Sequence, residues 1–130
     1  MIDEKLKTAL DKNMWFITTY GEDGPHAVPV GFKCVTDDQK LAFAVCCLEK
    51  TMSNYKENEK LVISVCAGAC NLEITGSLEF ATEGSVYDAF AAMSEKTFKG
   101  KIPVKCAAIM TPEKGYCFDI SEWTKHELTF

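Results

Sequence analysis

Short apolar runs rich in β-branched and aromatic residues, each closed by a tight cluster of turn residues, constrain this chain more than any other feature. Met14–Tyr20 (MWFITTY) is followed by Gly21-Glu22-Asp23-Gly24-Pro25, and His26–Val35 (HAVPVGFKCV) by Thr36-Asp37-Asp38-Gln39-Lys40. Leu41–Cys47 (LAFAVCC), Lys60–Ala67 (KLVISVCA) and Leu72–Thr82 (LEITGSLEFAT) continue the series, and Val104–Met110 and Gly115–Ile120 close it. Runs of this length and composition are strands. Gly76 inside the alternating Leu72–Thr82 run marks a bulge or bend. Helical spacing occurs in only three places: Asp3–Leu10 with Asp3 as N-cap, Lys50–Asn58, and Ser85–Phe98, where Val86, Phe90, Met93 and Phe98 share a side and Gly84 or Ser85 caps. A parallel sheet needs a helix after nearly every strand. The pattern therefore predicts a mainly β (α+β) fold, a small antiparallel barrel with flanking helices, in one domain spanning residues 1–130.

A chain of 130 residues, 47% hydrophobic, buries enough surface to be self-sufficient. No apolar run approaches the roughly 20 residues of a membrane helix, and Met1–Asn13 lacks the layout of a signal peptide, so a cytoplasmic protein with no membrane association is expected. The net charge of −5 argues against nucleic-acid binding. All 14 basic residues are Lys. Without the planar Arg fork, an anionic ligand has to be held by Lys, hydroxyls and backbone N–H groups.

Lys50-Thr51, after a central strand and at the start of a helix, fits that requirement. A helix start offers unpaired N–H groups and the positive end of a dipole, and Lys50, Thr51 and Ser53 add an ammonium and two hydroxyls, enough for a phosphate. Upstream, Gly21–Phe32 (GEDGPHAVPVGF) carries Pro29 and Gly31 inside a strand. Proline cannot donate to a ladder and glycine admits close approach, so something other than a neighbouring strand lies against this segment.

Together these features resemble the FMN-binding split β-barrel family, which includes relatives of pyridoxamine 5'-phosphate oxidase and the small bacterial FMN-binding protein. The resemblance covers about residues 2–110 and rests on the order of elements, the GEDGPH turn, the Lys50-Thr51 pair and the LEITGSLEFAT strand followed by a helix. It implies a homodimer with FMN at the interface, its phosphate on Lys50 and Thr51. The isoalloxazine would lie against the backbone of Pro29, Val30, Gly31 and Phe32, with Val45, Cys46 and Cys47 on the neighbouring strand. It implies a small flavin-dependent oxidoreductase or electron-transfer protein acting on a small redox partner. True pyridoxamine 5'-phosphate oxidases are longer and use Arg on flavin and substrate phosphates, so that activity is not expected of an Arg-free chain.

Other readings attach to the same residues. The seven cysteines, Cys34, Cys46, Cys47, Cys66, Cys70, Cys106 and Cys117, are odd in number and lie mostly in apolar runs, which suits packing better than a secreted disulfide framework. Cys66 and Cys70 with Cys46 and Cys47 could instead ligate zinc or an iron–sulfur cluster, and Cys46 or Cys47 could exchange electrons with a flavin. A haem would need His26 or His126, giving the alternative of a haem-binding or non-catalytic ligand-binding module. Glu57, Glu59, Asp88 and Glu95 read as solvated faces. Residues 112–130 carry no usable pattern beyond the short strand at Gly115–Ile120, although Trp123 and Phe130 could cover a partner subunit's flavin or pack onto the barrel.

Overall fold

The computed structural model describes all 130 residues. In chain order it contains α1 (Glu4–Lys12), β1 (Trp15–Gly21), β2 (Gly24–Val30), β3 (Lys33–Val35), β4 (Leu41–Val45), α2 (Glu49–Asn58), β5 (Val62–Ala67), β6 (Cys70–Ala81), α3 (Ser85–Phe98), β7 (Cys106–Asp119) and β8 (Thr124–Leu128). All pairings are antiparallel, in one sheet ordered β2-β1-β5-β6-β7-β4-β3, with β8 added beside β7.

The sheet curls because the chain leaves it no alternative. Its two edge strands, β2 and β3, are consecutive in sequence and joined only by Gly31-Phe32. Laid flat, six strand spacings would put them about 29 Å apart, whereas three residue steps from Val30 to Lys33 span at most about 11 Å. The sheet therefore bends round until its edges meet, making a split barrel with the split at Gly31-Phe32. The expected single strand 26–35 is in fact two strands on opposite edges, and the residues that break it are the ones marked by Pro29 and Gly31.

Inside the barrel lies the main core, with Trp15, Ile17, Leu41, Phe43, Ile63, Ile74 and Met110 fully buried. A second core forms outside, where α3 lays Phe90 on Ala42, Ala44 and Ala107. This explains the unbroken apolar run of β4. Leu41, Phe43 and Val45 point inward while Ala42 and Ala44 point to the helix, their small size letting it approach.

Helix α1 is capped at both ends: the Asp3 side chain accepts from the Leu6 N–H at 2.8 Å, and the Leu10 carbonyl accepts from Trp15 Nε1 at 2.8 Å and Lys33 Nζ at 2.9 Å. Burial holds the Lys33 ammonium below its ordinary pKa. Helix α2 is fastened to the end of β1, with Asn54 donating to Thr19 Oγ1 at 3.1 Å and Asn58 donating to the Tyr20 carbonyl at 2.7 Å. A Cβ on Gly21 would sit 2.1 Å from Asn54 Oδ1, so only glycine admits this approach.

Gly76 does mark a bulge: the β6–β7 register shifts between Thr75 and Gly76, and a Cβ there would meet the Thr111 carbonyl at 2.1 Å. Pro112 sits opposite this irregularity, where its missing N–H interrupts no regular ladder, so Val104–Met110 and Gly115–Ile120 merge into the single strand β7. Strand β8 was not foreseen. Its sequence, TKHEL, is polar, and it forms because β7 offers an open edge from Gly115 to Asp119. Beyond it Phe130 packs against the main core, while Trp123, 77% exposed, touches only the Phe118 ring among the aromatics.

The packing reading holds for five of the seven cysteines, since Cys34, Cys46, Cys70, Cys106 and Cys117 are half-buried against the two cores, although none is fully buried. Cys47 and Cys66 are exposed, Cys34, Cys46 and Cys106 are half-buried, and Cys70 and Cys117 are joined by a disulfide between β6 and β7. Alternation turned the side chains of the apolar runs outward or left them at strand ends, where sequence hydrophobicity is no guide to depth. No group of three or more Cys, His, Asp or Glu is arranged to hold a metal ion. No helix is long and apolar enough to cross a membrane.

The disulfide closes a loop of 47 residues, for which chain entropy gives a stabilisation of about 4 kcal/mol. Thiol titration of the unreduced, denatured protein should count five free cysteines, rising to seven after reduction, and the reduced protein should unfold at lower urea; seven thiols before reduction would exclude the bond.

Candidate functional site

Where the barrel splits, an apolar cleft of about 260 Å³ opens between the β2–β3 connection, the end of β4 and the C-terminal end of α3. Pro29, Val30, Gly31 and Phe32 form one wall and Cys46 and Cys47 another. Six of the nine residues singled out in the sequence thus line one cavity. Ala44, Leu48, Phe98 and Ile102 complete it, and sequence reasoning missed them. Phe98 was visible only as a helix-face residue; its ring meets that of Phe32 at a centroid distance of 5.7 Å.

The cleft offers backbone as well as apolar surface. Gly31 lies between two strands that pair with opposite neighbours, and neither its N–H nor its carbonyl joins a backbone hydrogen bond. A Cβ at Gly31 would meet no protein atom, so the glycine serves no packing need. It leaves its edge of the cleft open. Phe32 is different: its carbonyl accepts from the Ala44 N–H at 2.9 Å and pins the wall to β4. Burial pushes the Cys46 thiol up from its ordinary pKa, so it lines the cleft as a neutral group.

Val45, Lys50 and Thr51 do not line this cavity. Val45 turns into the barrel core and its carbonyl accepts from the Lys105 N–H at 2.8 Å. Lys50 and Thr51 occupy the first turn of α2, which follows Cys46, Cys47 and Leu48 directly and so begins at the cleft's rim. Leu48, the N-cap, supplies no side-chain hydrogen bond, and no backbone carbonyl takes the N–H groups of Lys50 and Thr51. In the same turn the Thr51 side chain is fully buried, and its Oγ1 has no hydrogen-bond partner. A buried hydroxyl without a partner costs stability unless something else satisfies it. Free amides, a positive helix end and an orphaned hydroxyl suit a phosphate oxygen.

The charges around this turn are paired. Lys50 Nζ lies 2.5 Å from Asp23 Oδ2, and Lys105 Nζ lies 3.1 Å from Glu49 Oε1. Hydrogen bonding to Asp23 raises the Lys50 ammonium above its ordinary pKa, and the same bond lowers the Asp23 carboxyl. The backbone N–H of Glu49 and then Lys105 lower the Glu49 carboxyl.

The thiols considered as a metal set are dispersed, with Cys46 and Cys47 at the cleft, Cys66 on the outer face of β5 and Cys70 held by Cys117. His26 pairs with Thr19 in the β1–β2 ladder and His126 with Cys117 beside β8, and neither lines the cleft.

A family model described as pyridoxamine 5'-phosphate oxidase matches residues 2–127, almost the whole chain. The chain belongs to the pyridoxamine 5'-phosphate oxidase family. Solved structures of similar proteins carry the same barrel fold. HupZ from Group A Streptococcus is 20% identical over 99% of this chain and 100% of its own, with a TM-score of 0.76. An FMN-binding protein from Syntrophomonas wolfei is 18% identical over 88% of this chain and 84% of its own, with a TM-score of 0.74. A NimC/NimA family protein from Clostridium acetobutylicum is 17% identical over 92% of this chain and 88% of its own, with a TM-score of 0.69. At these identities the likeness is one of fold. No curated protein matches the chain.

Thr51→Val keeps the shape of the side chain and removes the orphaned hydroxyl. The ligand-free variant should gain about 1–3 kcal/mol of stability in urea unfolding, the cost of a buried unsatisfied polar group; a loss of stability would mean that the hydroxyl is satisfied without a ligand.

Proposed function

We propose that this member of the family binds FMN, with the isoalloxazine in the apolar cleft and the phosphate on Lys50, Thr51 and the free amides of α2, and that it works as a small flavin-dependent oxidoreductase or electron-transfer protein. The observation that carries this reading is the buried, unpartnered Thr51 hydroxyl in the turn that starts at the rim of the cleft. Family membership and the likeness to an FMN-binding protein of Syntrophomonas wolfei support it.

FMN, when bound, supplies hydride and one-electron transfer, so the protein need contribute no acid, base or nucleophile of its own. This chain's residues bind and orient. Gly31 offers an unpaired N–H and carbonyl for hydrogen bonds along a ring edge, Pro29, Val30, Phe32 and Leu48 shield an apolar face from water, and Cys46 contributes an uncharged wall. The chain has no Arg to grip the phosphate of a second ligand, which argues against pyridoxamine 5'-phosphate as substrate and for a small redox partner without that group.

We further place FMN at a homodimer interface. Phe16 and Tyr20 of β1 are 45% and 63% exposed, and the register sets them beside Pro29 and Pro25 of β2, with Ala27 between. An exposed stripe of this kind along the outer face of an edge hairpin suits a second copy of the chain, and Pro29 belongs both to the stripe and to the cleft wall. Five free thiols, two of them exposed, support a reducing, cytoplasmic setting in which the Cys70–Cys117 bond is the exception.

The visible spectrum tests the reading directly. Protein purified, then incubated with FMN and freed of excess, should keep a flavin band at about 450 nm; a colourless protein would overturn the assignment, and a Soret band would replace FMN with haem. Lys50→Ala should weaken FMN binding severalfold and leave riboflavin binding nearly unchanged. Phe16→Glu should convert dimer to monomer in sedimentation and lower flavin retention with it; a dimer that persists would move the interface elsewhere.

A further inference from the structure

Asp23 sits in the two-residue turn between β1 and β2, its side chain 80% exposed, and takes part in no packing that the fold needs. Its contact is with Lys50, 27 residues further along the chain, whose Nζ donates to its Oδ2. The turn does not reach Lys50 by chance. Gly21 abuts Asn54, Asn54 donates to Thr19, and Asn58 donates to the Tyr20 carbonyl. These three contacts hold the end of β1 against α2 and so bring the carboxylate two residues beyond Gly21 to the ammonium.

We propose that Asp23 is an internal competitor in the phosphate cradle that sets its affinity: it neutralises Lys50 until a phosphate monoester displaces it. The proposal rests on the reading of Lys50 and the α2 amides as an FMN phosphate site. A carboxylate carries one negative charge and meets only the ammonium, whereas a phosphomonoester carries about 1.5–2 and can meet the ammonium and the free N–H groups of Lys50 and Thr51 together. A dianion therefore wins the exchange, while an uncharged ligand end leaves the ion pair closed. Once released, the Asp23 carboxylate stays in water at the tip of its turn and costs little. Glu22 and Glu57 also bear on Lys50 and strengthen its hold on the proton, so the ammonium remains charged throughout.

Fluorescence titration of FMN and riboflavin against the full-length wild type, Asp23→Asn, Lys50→Ala and the double variant decides the matter. Asparagine is well tolerated in turns and keeps the side-chain shape without the charge. Asp23→Asn should bind FMN about two- to fivefold tighter, the scale of one exposed charge pair. It should leave riboflavin affinity unchanged, and the gain should vanish in the Lys50→Ala background. Unchanged or weaker FMN binding by Asp23→Asn, in a wild type that prefers FMN to riboflavin, overturns the role of Asp23 and leaves the phosphate site standing. A gain that survives in Lys50→Ala overturns it as well, since the carboxylate would then act on the ligand and not through Lys50. A wild type that binds FMN and riboflavin equally overturns the phosphate site itself and the proposal with it.

Discussion

Everything in this fold depends on a connection too short for the distance it would otherwise have to cover. Gly31-Phe32 links the two outermost strands of the sheet, so the sheet has to close on itself. Closure buries Trp15, Ile17, Phe43 and Ile74 within the barrel and leaves the outside of β4 free to take α3. It also creates the cleft. Where β2 ends and β3 begins, the ladder has no strand to continue on, and the backbone of Gly31 is left unpaired beside an apolar wall. The point that closes the fold is also the point where the cleft opens.

Around this opening the protein tolerates features that a purely structural sequence would avoid. Gly31 fills no steric need, Thr51 buries a hydroxyl without a partner, and helix α2 begins with no side-chain cap. Each costs a little stability, and they lie along the cleft wall and in the helical turn that starts at its rim. By contrast the glycines at positions 21 and 76 are demanded by contacts with Asn54 and Thr111. Comparing the two kinds separates glycines that hold the structure together from the one that leaves it open.

The cysteines show how far composition can mislead. Their apolar neighbours suggested a buried, inert set, yet Cys47 and Cys66 are exposed, Cys70 and Cys117 are bonded to each other across β6 and β7, and Cys46 lines the cleft beside Cys47, while Cys34 and Cys106 do pack against the cores. An apolar run records that one face of a strand is buried. It does not say which member of the run lies on that face, since a shift of one residue exchanges the two sides.

Local chemistry in the chain determined most of the elements: strands where β-branched and aromatic residues alternate, helix starts at Asp3 and at Gly84 or Ser85, the bulge at Gly76, and a break near Pro29 and Gly31. These are readable because they depend on propensity, capping and backbone freedom within a few residues. The Lys50-Thr51 pair and the Pro29–Phe32 segment were likewise visible as residues suited to bind something. Only the tertiary structure decided that β2 and β3 part to opposite edges, that β8 adds to β7, that Phe98 and Ile102 complete the cleft, that Val45 turns away from it, and that Asp23 reaches Lys50. Each of these joins residues far apart in the chain, and strand pairing at such distance depends on which edges closure leaves free, a property of the whole sheet that no local stretch of sequence carries.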